Sequence, residues 1–299
     1  MEKVPDYLEF FGLKDHPFRL TPDTKYFFPS EPHQKAFEVL RYGLNRGEGF
    51  LILTGKPGAG KTLLLRILLK EKDPSKELAL LLSPNLNPRE LLIAILEDLG
   101  IKISGKENKE QLLRLFYDYL LKIAKENRTL LLVIDEAQNL PLESLEELRL
   151  LSNFETEEKK LLQILLVGQP SLEEKLKSPA LAQLLQRITI WERLEPLSSK
   201  EILSYVQFRW HRAGGAGLYL DRGAKRLLYR ISEGLPRQIN KIMDRAVLFA
   251  AAEGKKTISK KFLKEAAESY QLLPKRNWVF PWAFAMAALI LMAVFWYWK

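Results

Sequence analysis

The sequence predicts an α/β fold: a parallel sheet with interleaved helices, then an all-helical unit, then one helix long enough to span a bilayer. Three observations predict it. Short apolar runs at 50–54, 130–134 and 161–167 alternate with helical stretches, and unbroken apolar runs of that length mark strands buried on both faces. After Pro196 the helical pattern continues alone, which sets a boundary near Glu195. Residues 278–298 form a stretch of 21 residues without a charge.

Composition narrows the chemistry. The 299 residues are 47% apolar and 28% charged, the profile of a chain that buries a sizeable core. There is no cysteine, which excludes disulfides, thiol nucleophiles and cysteine-bearing metal sites and fits a reducing compartment. The three histidines, His16, His33 and His211, are scattered without ligand spacing and read as ordinary hydrogen-bonding positions. Any chemistry therefore falls to carboxylates, Lys, Arg, hydroxyls and backbone. A net charge of +9 fits nucleic acid, an anionic membrane or a polyanionic ligand equally well.

The first strand, 50–54, runs directly into Gly55-Lys56-Pro57-Gly58-Ala59-Gly60-Lys61-Thr62 and then an apolar helix over 63–69. In this GxxxxGK[ST] pattern the glycines let backbone N–H groups converge on phosphate oxygens, and the helix that follows aims its positive end at the same anion. Lys61 then reaches the β- and γ-phosphates, and the Thr62 hydroxyl ligates Mg²⁺. Asn87 starts a helix with Pro88 at its first position, Glu90 completing a capping box and Leu86 stapling to Leu91. Leucines at helical spacing over 112–121 read as a core face.

The strand at 130–134 ends in Asp135-Glu136, and carboxylates at that end of a parallel strand face the ligand crevice. Asp135 is expected to hold Mg²⁺, and Glu136 to orient and deprotonate the attacking water. The next strand, 161–167, places Gln169 at its exit, within reach of that water and the γ-phosphate. Arg187 lies between a helix-like stretch, 172–186, and a short strand at 188–191. There a guanidinium either stabilises phosphoryl charge in a neighbouring subunit or makes a surface ion pair.

Ser198 with Glu201 forms the next capping box, and Leu197 can staple to Ile202. Further helices are predicted over 221–232, 236–252 and 259–270, giving a four-helix lid. Arg237, in the first turn of the helix starting at Pro236, suits phosphate contact.

The uncharged stretch 278–298 is the length of a spanning helix, with Trp278 and Trp282 at one end and Trp296, Tyr297 and Trp298 at the other. Between Glu253 and Arg276 seven cations face three anions, and Lys275 and Arg276 precede the apolar stretch. The positive-inside tendency keeps 1–276 in the cytoplasm, on the inner membrane, and anionic lipid accounts for the basic run. The first eleven residues are too charged for a signal peptide. The sequence thus divides into an α/β nucleotide-binding domain (1–195, with an N-terminal segment), a helical lid (196–272) and a basic linker with its membrane helix (273–299).

Taken together, the phosphate loop, the Asp-Glu strand end, the polar residue after the next strand, the Arg before the fifth strand and the Pro-Arg of the lid resemble an AAA+ ATPase. Phe10-Phe11-Gly12-Leu13, Pro17-Phe18, Thr21-Pro22-Asp23, Ser30 with His33 and Ala36, 133–138, 167–170, Gln186-Arg187 and Leu235-Pro236-Arg237 resemble the general secretion pathway A (ExeA-type) ATPases. They also resemble the related ATPases of exosortase and exopolysaccharide loci. The resemblance implies a P-loop NTPase core with a five-stranded parallel sheet, ATP and Mg²⁺ as ligands, hydrolysis at the interfaces of a homo-oligomer, and a role in assembling secretion or envelope machinery. It also implies sensor and finger roles for Gln169, Arg187 and Arg237. Longer members continue into a peptidoglycan-binding domain, whereas this sequence stops at Lys299, so an envelope partner is expected to be met from the cytoplasm or within the bilayer. Two other readings compete: a DNA-associated ATPase of the transposition-helper type, and a nucleotide-gated scaffold that turns over little alone. No helix rich in Arg with Asn or Gln is evident, so nucleic acid is not the expected partner.

Overall fold

The computed structural model describes residues 6–71, 73–82, 84–155 and 160–272. The chain runs through α1 (Tyr7–Phe11), α2 (Glu31–Arg46), β1 (Phe50–Thr54), α3 (Lys61–Leu68), β2 (Lys76–Leu82), α4 (Pro88–Asp98), α5 (Lys109–Lys125) and β3 (Thr129–Asp135). It continues with α6 (Leu142–Leu151), β4 (Leu162–Gly168), α7 (Pro170–Leu176), α8 (Ala182–Leu185) and β5 (Ile190–Arg193). The C-terminal unit holds α9 (Glu201–Arg212), β6 (Tyr219–Leu220), α10 (Arg222–Ser232), α11 (Pro236–Ala252), β7 (Thr257–Ile258) and α12 (Lys260–Ser269).

β1 to β5 form one sheet in the order β2-β3-β4-β1-β5, every pair parallel. Alternation of side chains across the pleat divides each central strand between two cores. Phe50, Ile52, Leu130, Leu132, Ile134, Ile164 and Leu166 face α4, α5 and α6, whereas Leu51, Leu53, Leu131, Val133, Leu165 and Val167 face α2 and α3. Both faces of β1, β3 and β4 are therefore buried. All the strand exits lie at one end, where loops after parallel strands build ligand crevices.

Local chemistry sets the helix ends. Asn87 accepts from the Arg89 and Glu90 N–H groups while the Glu90 carboxylate takes the Asn87 N–H, a closed capping box. Asn108 and Gln111 repeat the arrangement at the start of α5. Ser198 differs from the expected box: its hydroxyl donates to Glu201, whose carboxylate also takes the Ser198 and Glu31 N–H groups. Glu201 thus ties the lid to the start of α2.

Two further expectations change. The stretch 172–186 is two helices rather than one, because Pro179 opens a turn between α7 and α8. The lid is not helical throughout, since β6 and β7 pair in parallel as a small second sheet.

A third core joins parts distant in sequence. Tyr7, Leu13, Phe18 and Tyr26 pack with Trp210, Val206, Leu228, Met243, Val247 and Leu263 of the lid. The N-terminal segment, grouped with the α/β unit in the sequence division at 195, shares its core with the lid helices. Among the described residues no helix is long and apolar enough to cross a membrane. The segment read as spanning, 278–298, lies outside the described residues, as does the linker ahead of it.

Candidate nucleotide-binding site

The loop from Gly55 to Thr62 leaves β1 and turns into α3 through Gly58 and Gly60, at φ +83° and +110°. Those angles are easily reached only without a Cβ. A Cβ on Gly60 would also stand 2.7 Å from His33 Nε2. The loop's polar groups converge. Lys61 is 5% exposed, and its Nζ donates to Gly55 O at 2.9 Å and Lys56 O at 3.4 Å. Burial draws its pKa below the usual lysine value, against the pull of Glu136 and Asp135.

β3 delivers the carboxylates. The Thr62 hydroxyl donates to Asp135 Oδ2 at 3.0 Å, so the two oxygens expected to bind a divalent cation stand side by side. Glu136 adopts a left-handed backbone, φ +54°, uncommon for a residue with a side chain. That turn sends its carboxylate to Gln138 Nε2 at 2.6 Å and Gln169 Nε2 at 3.1 Å. Burial would raise the Glu136 pKa, but the Gln138 and Gln169 hydrogen bonds and the Lys61 charge outweigh it and hold the group below the usual glutamate range. Glu136 is therefore an ionised carboxylate at neutral pH.

Gln138 in turn accepts the Gln169 N–H at 3.1 Å, and Lys175 Nζ donates to Gln138 O and Leu140 O at 2.7 Å each. The exits of β3 and β4 are thereby locked to one another. Thr54, at the end of β1, donates to Glu173 at 2.6 Å and joins the third exit to the same frame.

The lid closes the opposite wall. The Arg237 N–H donates to Gly58 O at 3.2 Å, and a Cβ on Gly58 would meet Arg237 Cβ at 2.8 Å, so lid and loop are in direct contact. The cleft between them, about 370 Å³, is bordered by Gly58, Lys61, Thr62, Glu136, Gln169 and Arg237, and by 19–23 of the N-terminal segment. Arg187 is elsewhere: its guanidinium lies 3.4 Å from Ser152 Oγ and does not border the cleft. A larger groove of about 760 Å³ beside Leu68, Asp73 and Lys76 includes none of the loop's residues, and the chemistry favours the smaller cleft.

Three contributors were not given roles from sequence. Gln138 is a partner of both Glu136 and Gln169. Arg209, 5% exposed, donates to Pro17 O at 2.5 Å, Arg19 O at 3.3 Å and Tyr205 Oη at 3.3 Å and sits 4.7 Å above the Tyr26 ring. His33 bonds Ala59 O of the loop at 3.0 Å. The sequence signal for His33 and Gln138 is their place in the motifs around 30–36 and 133–138, whereas Arg209 lies in none and only its partner Pro17 does.

Residues 44–176 match the family described as AAA domain. Over 292 residues, 97% of this chain, the sequence is 40% identical to general secretion pathway protein A of Aeromonas hydrophila. The chain carries an AAA domain and is related to the secretion-pathway A proteins. It spans about half, 53%, of the length of that curated relative. Among solved structures, Cdc6p of Pyrobaculum aerophilum matches 88% of the chain with 70% of its own (TM-score 0.61, 19% identity). The Aeropyrum pernix ORC2 protein matches 80% with 67% of its own (TM-score 0.58, 19% identity). The Thermotoga maritima RuvB branch migration motor matches 80% with 69% of its own (TM-score 0.53, 19% identity). At such identities these likenesses establish the AAA+ fold and nothing more.

The donor set fits ATP with Mg²⁺. A small hard cation prefers one or two protein oxygens with phosphate and water completing its shell. Thr62 and Asp135 offer that pair, and among the described residues no cluster of three His, Asp or Glu would hold a metal by itself.

Proposed function

We propose that this AAA-domain protein is a membrane-anchored ATPase that hydrolyses Mg-ATP to support assembly of secretion, envelope or exopolysaccharide-export machinery. The observation that carries the reading is convergence. Lys61, Thr62, Asp135, Glu136, Gln169 and Arg237 come from four separate points of the chain to one cleft where the sheet ends. Forty per cent identity to a secretion-pathway protein over nearly the whole chain supports the biological setting.

In this reading the N–H groups of 58–62 and the positive end of α3 hold the β-phosphate, and Lys61 bridges β- and γ-phosphates. Thr62 and Asp135 would hold Mg²⁺, which when bound would supply neutralisation of phosphate charge. Glu136, ionised and aimed by Gln138 and Gln169, accepts a proton from the attacking water. Gln169 senses the γ-phosphate from the same position. Arg237 follows the phosphates from the lid, so that hydrolysis alters the contact between α11 and the loop. Arg187, outside its own cleft, acts on the site of a neighbouring copy in a homo-oligomer. Residues 278–298 anchor the body, with 1–276 on the cytoplasmic side, and the partner is a secretion or envelope-assembly protein.

The test is ATP turnover and capture by the purified full chain in lipid nanodiscs. Mg-dependent hydrolysis is expected, strongly slowed by Glu136→Gln with ATP binding retained, and the trapped form should co-purify an envelope-assembly protein. Failure to bind Mg-ATP at all would remove the reading. Tight, strongly salt-dependent affinity for duplex DNA would replace its partner class.

A further inference from the structure

We propose that His33 is a positioning residue of the phosphate loop, fixing the peptide between Ala59 and Gly60 so that the Gly60 N–H faces the cleft. The inference rests on the ATP-binding reading above and adds to it a residue outside the loop motif.

The chemistry of the contact fixes the imidazole's protonation. Ala59 O, 3.0 Å from His33 Nε2, can only accept, so Nε2 must carry the proton. In the neutral ring Nδ1 is then an acceptor, and the Ser30 hydroxyl, 2.6 Å away, donates to it. Ser30 and His33 are 2% and 5% exposed, and Ala59 is fully buried. Burial lowers the His33 pKa, the direction that keeps the ring neutral. The Ser30 hydroxyl is given wholly to this contact: although Ser30 stands at the N-cap of α2, its side chain makes no capping bond.

The consequence for the loop follows from peptide geometry. In a trans peptide the C=O and the next N–H point in opposite directions. There are no cis bonds among the described residues, so anchoring Ala59 O on His33 turns the Gly60 N–H the other way. Ala59 O lies on the buried α2 side, and Gly60 borders the cleft. The Gly60 N–H makes no hydrogen bond within the described residues, so it is free to donate to a phosphate oxygen. Gly60 is itself shaped for this partner, since a Cβ there would collide with Nε2. His33 is thereby the strut that holds one donor of the anion nest in place, and α2 is the beam it stands on.

The experiment uses the full chain in nanodiscs and compares His33→Ala, His33→Gln and Ser30→Ala with wild type, with Lys61→Ala as the binding-dead control. Gln places an amide donor near Nε2, so it can restore the bond to Ala59 O. Mg-ATP titration should give a Kd about tenfold weaker for His33→Ala, in line with loss of one buried hydrogen bond, and return to within about threefold of wild type for His33→Gln. The loss should appear in Kd and KM rather than kcat, and adenosine, which lacks phosphate, should bind all variants alike. Nitrogen NMR of wild type should report the Nε2-protonated neutral ring.

Equal ATP affinity in wild type and His33→Ala would overturn the proposal. So would equal weakening in His33→Gln and His33→Ala when the two match in thermal stability, or an Nδ1-protonated ring. Should His33→Ala fail to fold, the His33→Gln and Ser30→Ala titrations and the NMR tautomer decide. Absence of Mg-ATP binding by wild type would instead sink the ATPase reading, and the two failures are therefore separable.

Discussion

Replacing Arg209 by Met should detach the N-terminal segment from the lid, at a cost that can be worked from its contacts. Met keeps an unbranched stem of similar length over the Tyr26 ring but removes the guanidinium. Three bonds vanish: those to Pro17 O and Arg19 O, both from the segment bordering the cleft, and that to Tyr205 Oη. Hydrogen bonds from a charged donor are worth about 1.5–3 kcal/mol each, and a buried carbonyl left without a donor costs about 1–3 kcal/mol. Against this, Met escapes the penalty of burying a cation for which no carboxylate lies within ion-pair distance among the described residues, a relief of a few kcal/mol. The three lost bonds, about 4.5–9 kcal/mol together, outweigh that relief, and the balance is a net destabilisation of several kcal/mol. Tyr205 retains Asn240 at 2.8 Å, so the damage should concentrate on 17–26 rather than on α9. Hydrogen exchange of the full chain in nanodiscs should show lost protection over 6–28, with α9, β1, β3 and β4 unchanged, and urea unfolding should give a lowered midpoint. A midpoint within error of wild type, or loss of protection spread evenly into the central strands, would refute the reasoning.

Other outcomes follow from the same contacts. Glu136→Gln should lower kcat by about a hundredfold to ten-thousandfold while Mg-ATP affinity is kept, because a carboxamide oxygen still accepts from Gln138 and Gln169; single-turnover hydrolysis checks it. Lys61→Ala should abolish nucleotide binding in a filter or calorimetric assay. Asn87→Ala should cost about 1 kcal/mol, read as a lowered urea midpoint, since it opens a complete capping box at the head of α4. Arg187→Ala should reduce turnover of the assembled form with ATP binding intact, and mixing it with Glu136→Gln subunits should recover activity if the guanidinium works across an interface. The pH dependence has a definite sign. The His33 pKa is lowered in the fold by burial, against the favourable pull of Glu201, so the unfolded chain takes up the proton first. Stability contributed by neutral His33 is complete above about pH 6.5 and falls as pH drops through and below that value; the slope should disappear in His33→Gln, measured as unfolding midpoints between pH 7.5 and 5.

What the sequence could reveal depended on burial. β1, β3 and β4 are covered on both faces, so each reads as an unbroken apolar run and each was legible, to within a residue or so. β2 was not. It lies at the sheet's edge, begins Lys76-Glu77 and leaves Leu78 and Leu82 substantially exposed, so its pattern is neither a continuous run nor a clean alternation. β5 was read two residues early because Ile188, which leads into it, is apolar for a different reason: it packs against the core below α4 to α6. In the site, Lys61, Thr62, Asp135 and Glu136 were legible because their roles are fixed by spacing along a strand, a loop and a helix start. Gln138, His33 and Arg209 each have a partner 26 to 192 positions away in the sequence, and no local pattern encodes a contact at that separation.

The shared core of the N-terminal segment and the lid changes how the cleft should be pictured. One wall, the phosphate loop with Asp135, Glu136 and Gln169, is rooted in the sheet. The facing wall combines Arg237 of α11 with 19–23 of the N-terminal segment, and these two are joined by Arg209 and by the packing of Phe18 and Tyr26 against the lid helices. Among the described residues the contacts that cross between the walls include Arg237 N–H to Gly58 O, Lys56 to Glu233 at 3.0 Å, Glu201 to the Glu31 N–H, Arg66 of α3 to Pro22 O at 3.1 Å and Lys70 to Thr24 Oγ1 at 2.5 Å. Of these the Lys56–Glu233 pair is exposed and contributes about 0–1 kcal/mol. A ligand held between both walls therefore meets the segment and the lid as one joined surface, packed through a shared core. The N-terminal motifs are then part of the wall that faces the phosphate loop, and aromatic residues at 7, 18 and 26 accompany the nucleotide site because they root that wall in the lid core.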